Sequence, residues 1–272
     1  MESESSTVIE SSPYRFNVKR KILTYDGNTI SLTYRVGGDY DSCITISYTF
    51  NKNTPVSASI PRLSYEPECS LGSTLQKGAG TEILIRSAIQ YAYRQVPSIH
   101  RFFFDDASHI DCYEGPTQQA PPRKQKKPLN LAYLSIAYYG MTWYEKTFKA
   151  QMIDEDRFTK YRNAVSFLTD PTVMLPFATF LQITQPSADQ IRLLEEPYVS
   201  SRTYREFFNS IPREKRCIAL FSWINTFMQQ VGAVGHIEKG WYIDAHLLQK
   251  GGARKKTMKR LHVYNYSEVS NF

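Results

Sequence analysis

The chain has 272 residues and a mass of 31.4 kDa, enough for one large domain or two modest ones. Its 42% hydrophobic and 14% aromatic content excludes disordered and fibrous classes, and 13 Gly with 14 Pro exclude collagen-like and low-complexity chains. The 33 basic and 26 acidic residues leave a formal charge of +7, which permits an anionic partner without requiring one. No apolar run approaches the roughly 20 residues of a bilayer span, so no membrane span is expected. The start, residues 1–12, is polar and mildly acidic and lacks the basic and apolar segments of a secretory signal. Cys43, Cys69, Cys112 and Cys217 stand far apart without a CxxC pair. That excludes a zinc ribbon, and reduced thiols in an intracellular, cytoplasmic setting are the expectation.

In chain order, residues 1–13 are rich in Ser and Glu and read as a flexible tail. From Tyr14 the pattern is strand-like, with Phe16 and Val18 alternating with polar neighbours. Asp26-Gly27, between apolar segments 22–25 and 29–36, is a hairpin signal. Ile44, Ile46, Tyr48 and Phe50 alternate with Thr45, Ser47 and Thr49, which predicts an antiparallel sheet with one buried face. Residues 56–63 predict a fourth strand, interrupted by Pro61. At Gly80 the period changes. Ile83, Leu84, Ala88, Tyr91 and Ala92 recur at helical spacing until Pro97 stops the helix. Residues 99–104 include Phe102, Phe103 and Phe104 and predict a central strand covered by helices. A Pro- and Lys-rich loop follows at 118–127, and 129–152 is helical in composition. Further helices are predicted at 158–168, 188–194 and 203–230, the last broken at Pro212. Residues 241–248 and 261–266 read as a closing strand pair.

The most informative segment is Leu75-Gln76-Lys77-Gly78-Ala79-Gly80-Thr81, which opens the first helix. Successive backbone N–H groups at a helix start, with no side chains blocking approach, form an anion cradle. No GK[ST] follows, so this is not a Walker A loop, and a dinucleotide fingerprint lacks its third glycine. The segment resembles the pyrophosphate loop of the GNAT-type N-acetyltransferases, Q/R-x-x-G-x-G/A after an antiparallel sheet. Leu75 stands at the Gln/Arg place, with Gln76 one position later. Trp143-Tyr144-Glu145-Lys146-Thr147-Phe148 is similar to the family's YEKxGF, with Thr147-Phe148 in place of Gly-Phe.

The resemblance spans roughly residues 15–152. It implies an α+β fold: a GNAT-like antiparallel or mixed sheet flanked by helices at 14–153. A mostly helical region at 154–272 then ends in a basic β-hairpin. It also implies acetyl-coenzyme A as cofactor, with its pyrophosphate on Gln76, Lys77, Gly78, Ala79, Gly80 and Thr81. Tyr144 would protonate the departing thiolate, and Glu68 would take the proton of an unknown amine or protein substrate. No metal is expected. His109 and Cys112 lack a second ligand pair, Asp106 suits a helix cap, and Cys112 as a nucleophile would need a positioned His.

The alternative is a catalytically inactive GNAT-like protein that works through assembly with protein partners. The chain's general character looks like proteins of large DNA viruses, where such a protein would sit in the virion, for example as a minor capsid component. Two basic stretches stand apart from either reading. Arg123, Lys124, Lys126 and Lys127 form one. Lys250, Arg254, Lys255, Lys256, Lys259 and Arg260 form the other, beside His262, Tyr264 and Tyr266. The second suits a solubilising hairpin or non-specific contact with nucleic acid or another polyanion.

Overall fold

The computed structural model describes residues 1–38, 43–113, 126–232, 234–235 and 237–250. The strands β1 (Glu2–Ser11), β2 (Tyr14–Tyr25), β3 (Asn28–Gly37), β4 (Ile44–Asn51) and β5 (Thr54–Leu63) come first. They are followed by helix α1 (Ala79–Gln95) and strands β6 (Arg101–Phe104), β7 (His109–Tyr113) and β8 (Lys126–Asn130). Helices α2 (Leu131–Tyr139) and α3 (Trp143–Phe148), the short β9 (Gln151–Met152) and α4 (Glu155–Val165) come next. Then come α5 (Phe177–Thr184), α6 (Ala188–Val199), α7 (Tyr204–Ser210), α8 (Arg216–Leu220) and α9 (Ile224–Gln230). Strand β10 (Trp241–Asp244) and helix α10 (Ala245–Lys250) complete the described chain. The architecture is α+β with a large mixed sheet.

The chain divides into two interleaved units rather than at residue 153. The first comprises Met1–Asp105, Thr147–Gln151 and, among the described residues, 240–250. The second comprises Asp106–Lys146 and Met152–Lys239.

The first unit is built on a sheet of order β1-β2-β3-β4-β5-β6-β10-β9. Strands β1 to β5 form an antiparallel meander. Asp26 (φ 49°) and Gly27 (φ 73°) make the two-residue turn between β2 and β3, as the sequence predicts. Lys52 (φ 46°) and Asn53 (φ 70°) make a second such turn, which carries no glycine to announce it. The Asn53 side chain accepts from the Thr29 amide at 2.5 Å and donates to Asn28 at 3.0 Å, which stabilises its left-handed backbone. The alternating residues Phe16, Val18, Leu32, Tyr34, Val36, Ile44, Ile46 and Tyr48 are buried. The α1 residues Leu84, Ile85, Ala88, Ile89 and Ala92 are buried with them, and the Tyr48 hydroxyl donates to the Ala92 carbonyl at 2.9 Å. Residues 1–13 are not a tail: Glu2–Ser11 pair with β2 along its whole length as an edge strand. The β1 side chains through Val8 are exposed, so pairing rather than burial holds the strand.

The second unit holds the two-stranded β7–β8 sheet and helices α2 to α9 apart from the last two residues of α3. Its core is aromatic. Phe180 lies 5.1 Å from Trp223 and 4.6 Å from Tyr198, ring centroid to centroid, and Tyr204 lies 4.9 Å from Phe227. Such edge-on and tilted pairs add to their area burial.

All four cysteines are paired, Cys43 with Cys69 and Cys112 with Cys217, which corrects the expectation of reduced thiols. The ground for an intracellular setting is thereby removed, because disulfides persist where the surroundings oxidise them. The expected strand over 241–248 is also corrected in part, since Trp241–Asp244 is a strand and Ala245–Lys250 is helical. Residues 261–266, residues 118–125 of the Pro- and Lys-rich loop, and Arg254, Lys255, Lys256, Lys259 and Arg260 lie outside the described residues, while Lys126 and Lys127 at the end of that loop are in β8. Among the described residues, no helix is long and apolar enough to cross a membrane.

Candidate functional site

Strands β5 and β6 are parallel neighbours, and α1 lies between them in the chain. Their ladder covers Ala58↔Phe102 and Ser59↔Phe103, while β5 continues to Leu63 against β4. The connection 64–78 therefore leaves from the carboxyl end of a parallel strand, the end at which sheets with crossover helices hold ligands. Several contacts pin this connection. Cys69 is bonded to Cys43 ahead of β4, the Tyr65 hydroxyl donates to the Leu75 carbonyl at 2.9 Å, and the Leu75 amide donates to the Pro67 carbonyl at 2.8 Å.

Gly78 caps α1 with φ 79° and ψ −90°, a conformation that glycine alone adopts readily. No side chain caps the helix start, and the first helical bond is Glu82 amide to Gly78 carbonyl at 2.9 Å. Gln76, Lys77 and Ala79 are exposed, and Gly78 and Thr81 are half-buried. The first turn thus carries no side-chain cap at the positive end of a 17-residue helix, with Ala79 exposed and Gly80 buried.

Two expected members have other work. The Gln76 amide donates to the Tyr14 hydroxyl at 3.3 Å. Gly80 is buried, and a Cβ there would lie 3.0 Å from Leu75 and 3.3 Å from the Tyr14 hydroxyl. Gly80 is therefore required by packing within the turn. Leu75, at the family's Gln/Arg place, is fully buried. Glu68 lies on the 3₁₀ turn Pro67–Cys69 and is exposed. A recess of about 300 Å³ in the same unit is lined by Arg20, Tyr34, Phe50, Gln95 and Val96, at the opposite end of α1 from Gly78.

The YEK-Phe segment straddles the two units. Thr147 and Phe148 belong to the first, where Arg86 of α1 donates to the Thr147 carbonyl at 2.6 Å and lies 5.1 Å over the Phe148 ring. Tyr144, Glu145 and Lys146 belong to the second. Glu145 is buried and caps α3. Its carboxylate accepts from the Thr142 amide at 2.8 Å and the Tyr161 hydroxyl at 2.5 Å. Tyr144 is 8% exposed, and burial, with the Asp106 carboxylate adding to it, pushes its hydroxyl well above the ordinary phenol value. Asp106 is 2% exposed. It accepts from the Ser108 amide at 3.1 Å and from the Ser108 hydroxyl, so it caps a turn before β7 rather than a helix. Cys112 lies on β7 in its disulfide, which removes it as a nucleophile or ligand.

No protein-family model, no curated protein and no solved structure matches the chain.

Proposed function

We propose that the chain is a GNAT-like protein that binds acetyl-coenzyme A, with the pyrophosphate on the first-turn amides of α1. One observation carries the reading: a parallel β5–α1–β6 crossover whose helix starts at Gly78 without a side-chain cap, between exposed Lys77 and Ala79. Lys77, exposed beside that turn, adds a cation within the same short segment. In the catalytic form of this reading, a deprotonated amine attacks the thioester carbonyl. The C–N bond forms, the C–S bond breaks, and the thiolate leaves to be protonated.

A second reading, binding without transfer, is favoured by Tyr144. A buried phenol held above its ordinary value near 10 gives up its proton far less readily than a thiol, ordinarily near 8.5. That mismatch makes Tyr144 a poor acid for a leaving thiolate and suits a packing residue. Binding and turnover separate the two readings. Coenzyme A should bind in the micromolar range by calorimetry. Ala79→Glu should weaken it about tenfold or more, because its carboxylate occupies the cradle. An acidic residue in a first helical turn favours the helix, so the variant should fold like the parent. Failure of the parent to bind coenzyme A overturns the proposal. Acetylation of any amine with unchanged kcat in Tyr144→Phe would restore the transferase reading and exclude Tyr144 from it.

A further inference from the structure

We propose that His100, Asp244 and His246 form a binding site for one divalent transition-metal ion, zinc above all, which staples the ends of β6 and β10 together. The register of the sheet assembles it. Asp244 pairs with Arg101, and the Ala245 amide donates to the His100 carbonyl at 2.8 Å. His100 is thereby held beside Asp244 and His246, which stand two residues apart at the other strand's end. One ligand atom from each lies within 4.8 Å of the others.

One separation is already that of neighbouring metal ligands. His246 Nδ1 and Asp244 Oδ1 are 3.3 Å apart, long for a charge-assisted hydrogen bond. Around a tetrahedral ion with ligand bonds of about 2.0–2.1 Å, neighbouring ligand atoms lie about 3.3–3.4 Å apart. The His100 and His246 rings are nearly parallel, tilted 22° with centroids 4.9 Å apart. The Tyr93 hydroxyl lies 3.0 Å from His246 Nε2. In the tautomer that binds a metal through Nδ1, Nε2–H donates to that oxygen and the Nδ1 lone pair lies on the side of the Asp244 carboxylate. An outer partner on the second ring nitrogen is the usual companion of a metal-bound histidine.

Asp244 Oδ1 also accepts the His246 amide at 2.9 Å, which accounts for the carboxylate as a cap of α10 but not for two imidazoles beside it. Two imidazoles and one carboxylate suit zinc, copper or nickel better than magnesium or calcium, and water would complete the shell. The His246 side chain is half exposed, so an ion enters from solution without unfolding. Tyr93 lies on the last turn of α1, and the 17-residue helix is about 25 Å long. The site is thus remote from Gly78, and the ion's role is structural.

The test uses the full chain stripped by chelator and titrated with Zn²⁺ by calorimetry, with Co²⁺ as an optical probe. One equivalent should bind with micromolar affinity or better, raise the melting temperature, and give the visible absorption of tetrahedral cobalt. His100→Gln and His246→Gln should each weaken binding about tenfold or more. Without metal, His246→Gln should melt with the parent, since its side chain is half in solvent. Absence of one-to-one binding below millimolar Zn²⁺ overturns the proposal, as does parental affinity in both variants. The outcome is independent of coenzyme A binding.

Discussion

Gly78 and Gly80 are the same letter in the same turn, yet they answer to different forces. Gly78 is glycine because of its backbone and Gly80 because of its neighbours. Sequence distinguishes neither, since the contact of Gly80 with Leu75 and Tyr14 depends on the fold. Leu75 has little room to give way, because its side chain is fully buried. Gly80→Ala should therefore destabilise by about 1 kcal/mol or more in denaturant unfolding, the overpacking outweighing the gain in helix propensity. Equal or greater stability would show that the turn is loosely packed. Asp106 offers a second residue-scale prediction. Burial raises its carboxyl in the folded state, so the folded chain holds this proton to higher pH than the unfolded chain does. The stability from this group is complete below the ordinary carboxylate value and is lost as pH rises through the raised folded value. Asp106→Asn keeps an acceptor for Ser108 and removes the titration. Its melting temperature relative to the parent should be highest near neutrality and should decline as pH is lowered to about 4. A difference independent of pH would mean that Asp106 is not strained by burial.

At the scale of elements, the strands from β2 to β5, the β2–β3 hairpin, α1 and the break at Pro212 were legible in the sequence, because local period and turn chemistry decide them. Three features were not. β1 has no apolar alternation and forms only because β2 offers its edge. α10 follows β10 without a turn signal. The cysteine pairs are separated by 26 and 105 residues, and spacing alone does not choose partners. The Cys43–Cys69 bond ties the connection leading to Gly78 to the sheet. Replacing both cysteines by Ser should cost about 3 kcal/mol in unfolding, as expected for a loop of this length. It should also weaken coenzyme A binding, because the cradle is no longer pre-positioned. Unchanged affinity with lowered stability would confine the bond to a fold-holding role.

For the whole molecule, the interleaved units explain why the candidate site was only partly legible. The helix start is local and could be read from residues 75–81, whereas Tyr144 and Thr147, three residues apart, fall in different units. The pairing of His100 with Asp244 and His246 is not legible for a related reason: sheet register, not spacing, brings His100 to the other two. The net charge of +7 is concentrated beyond Gln249 in Lys250, Arg254, Lys255, Lys256, Lys259 and Arg260. Binding to nucleic acid or another polyanion should accordingly be sequence-independent. With four to six phosphates engaged, it should weaken by roughly two to three decades for a fourfold rise in salt. Exchange of Lys255, Lys256, Lys259 and Arg260 for Gln should flatten that dependence, and no binding at low salt would leave the stretch a solubilising one. The central claim, an anion cradle at the start of α1, is tested most directly by amide hydrogen exchange with and without coenzyme A. Slowed exchange at Gly78, Ala79, Gly80 and Thr81, with little change at the far end of α1, is the predicted result. Coenzyme A that binds without protecting these amides, or does not bind, would contradict it.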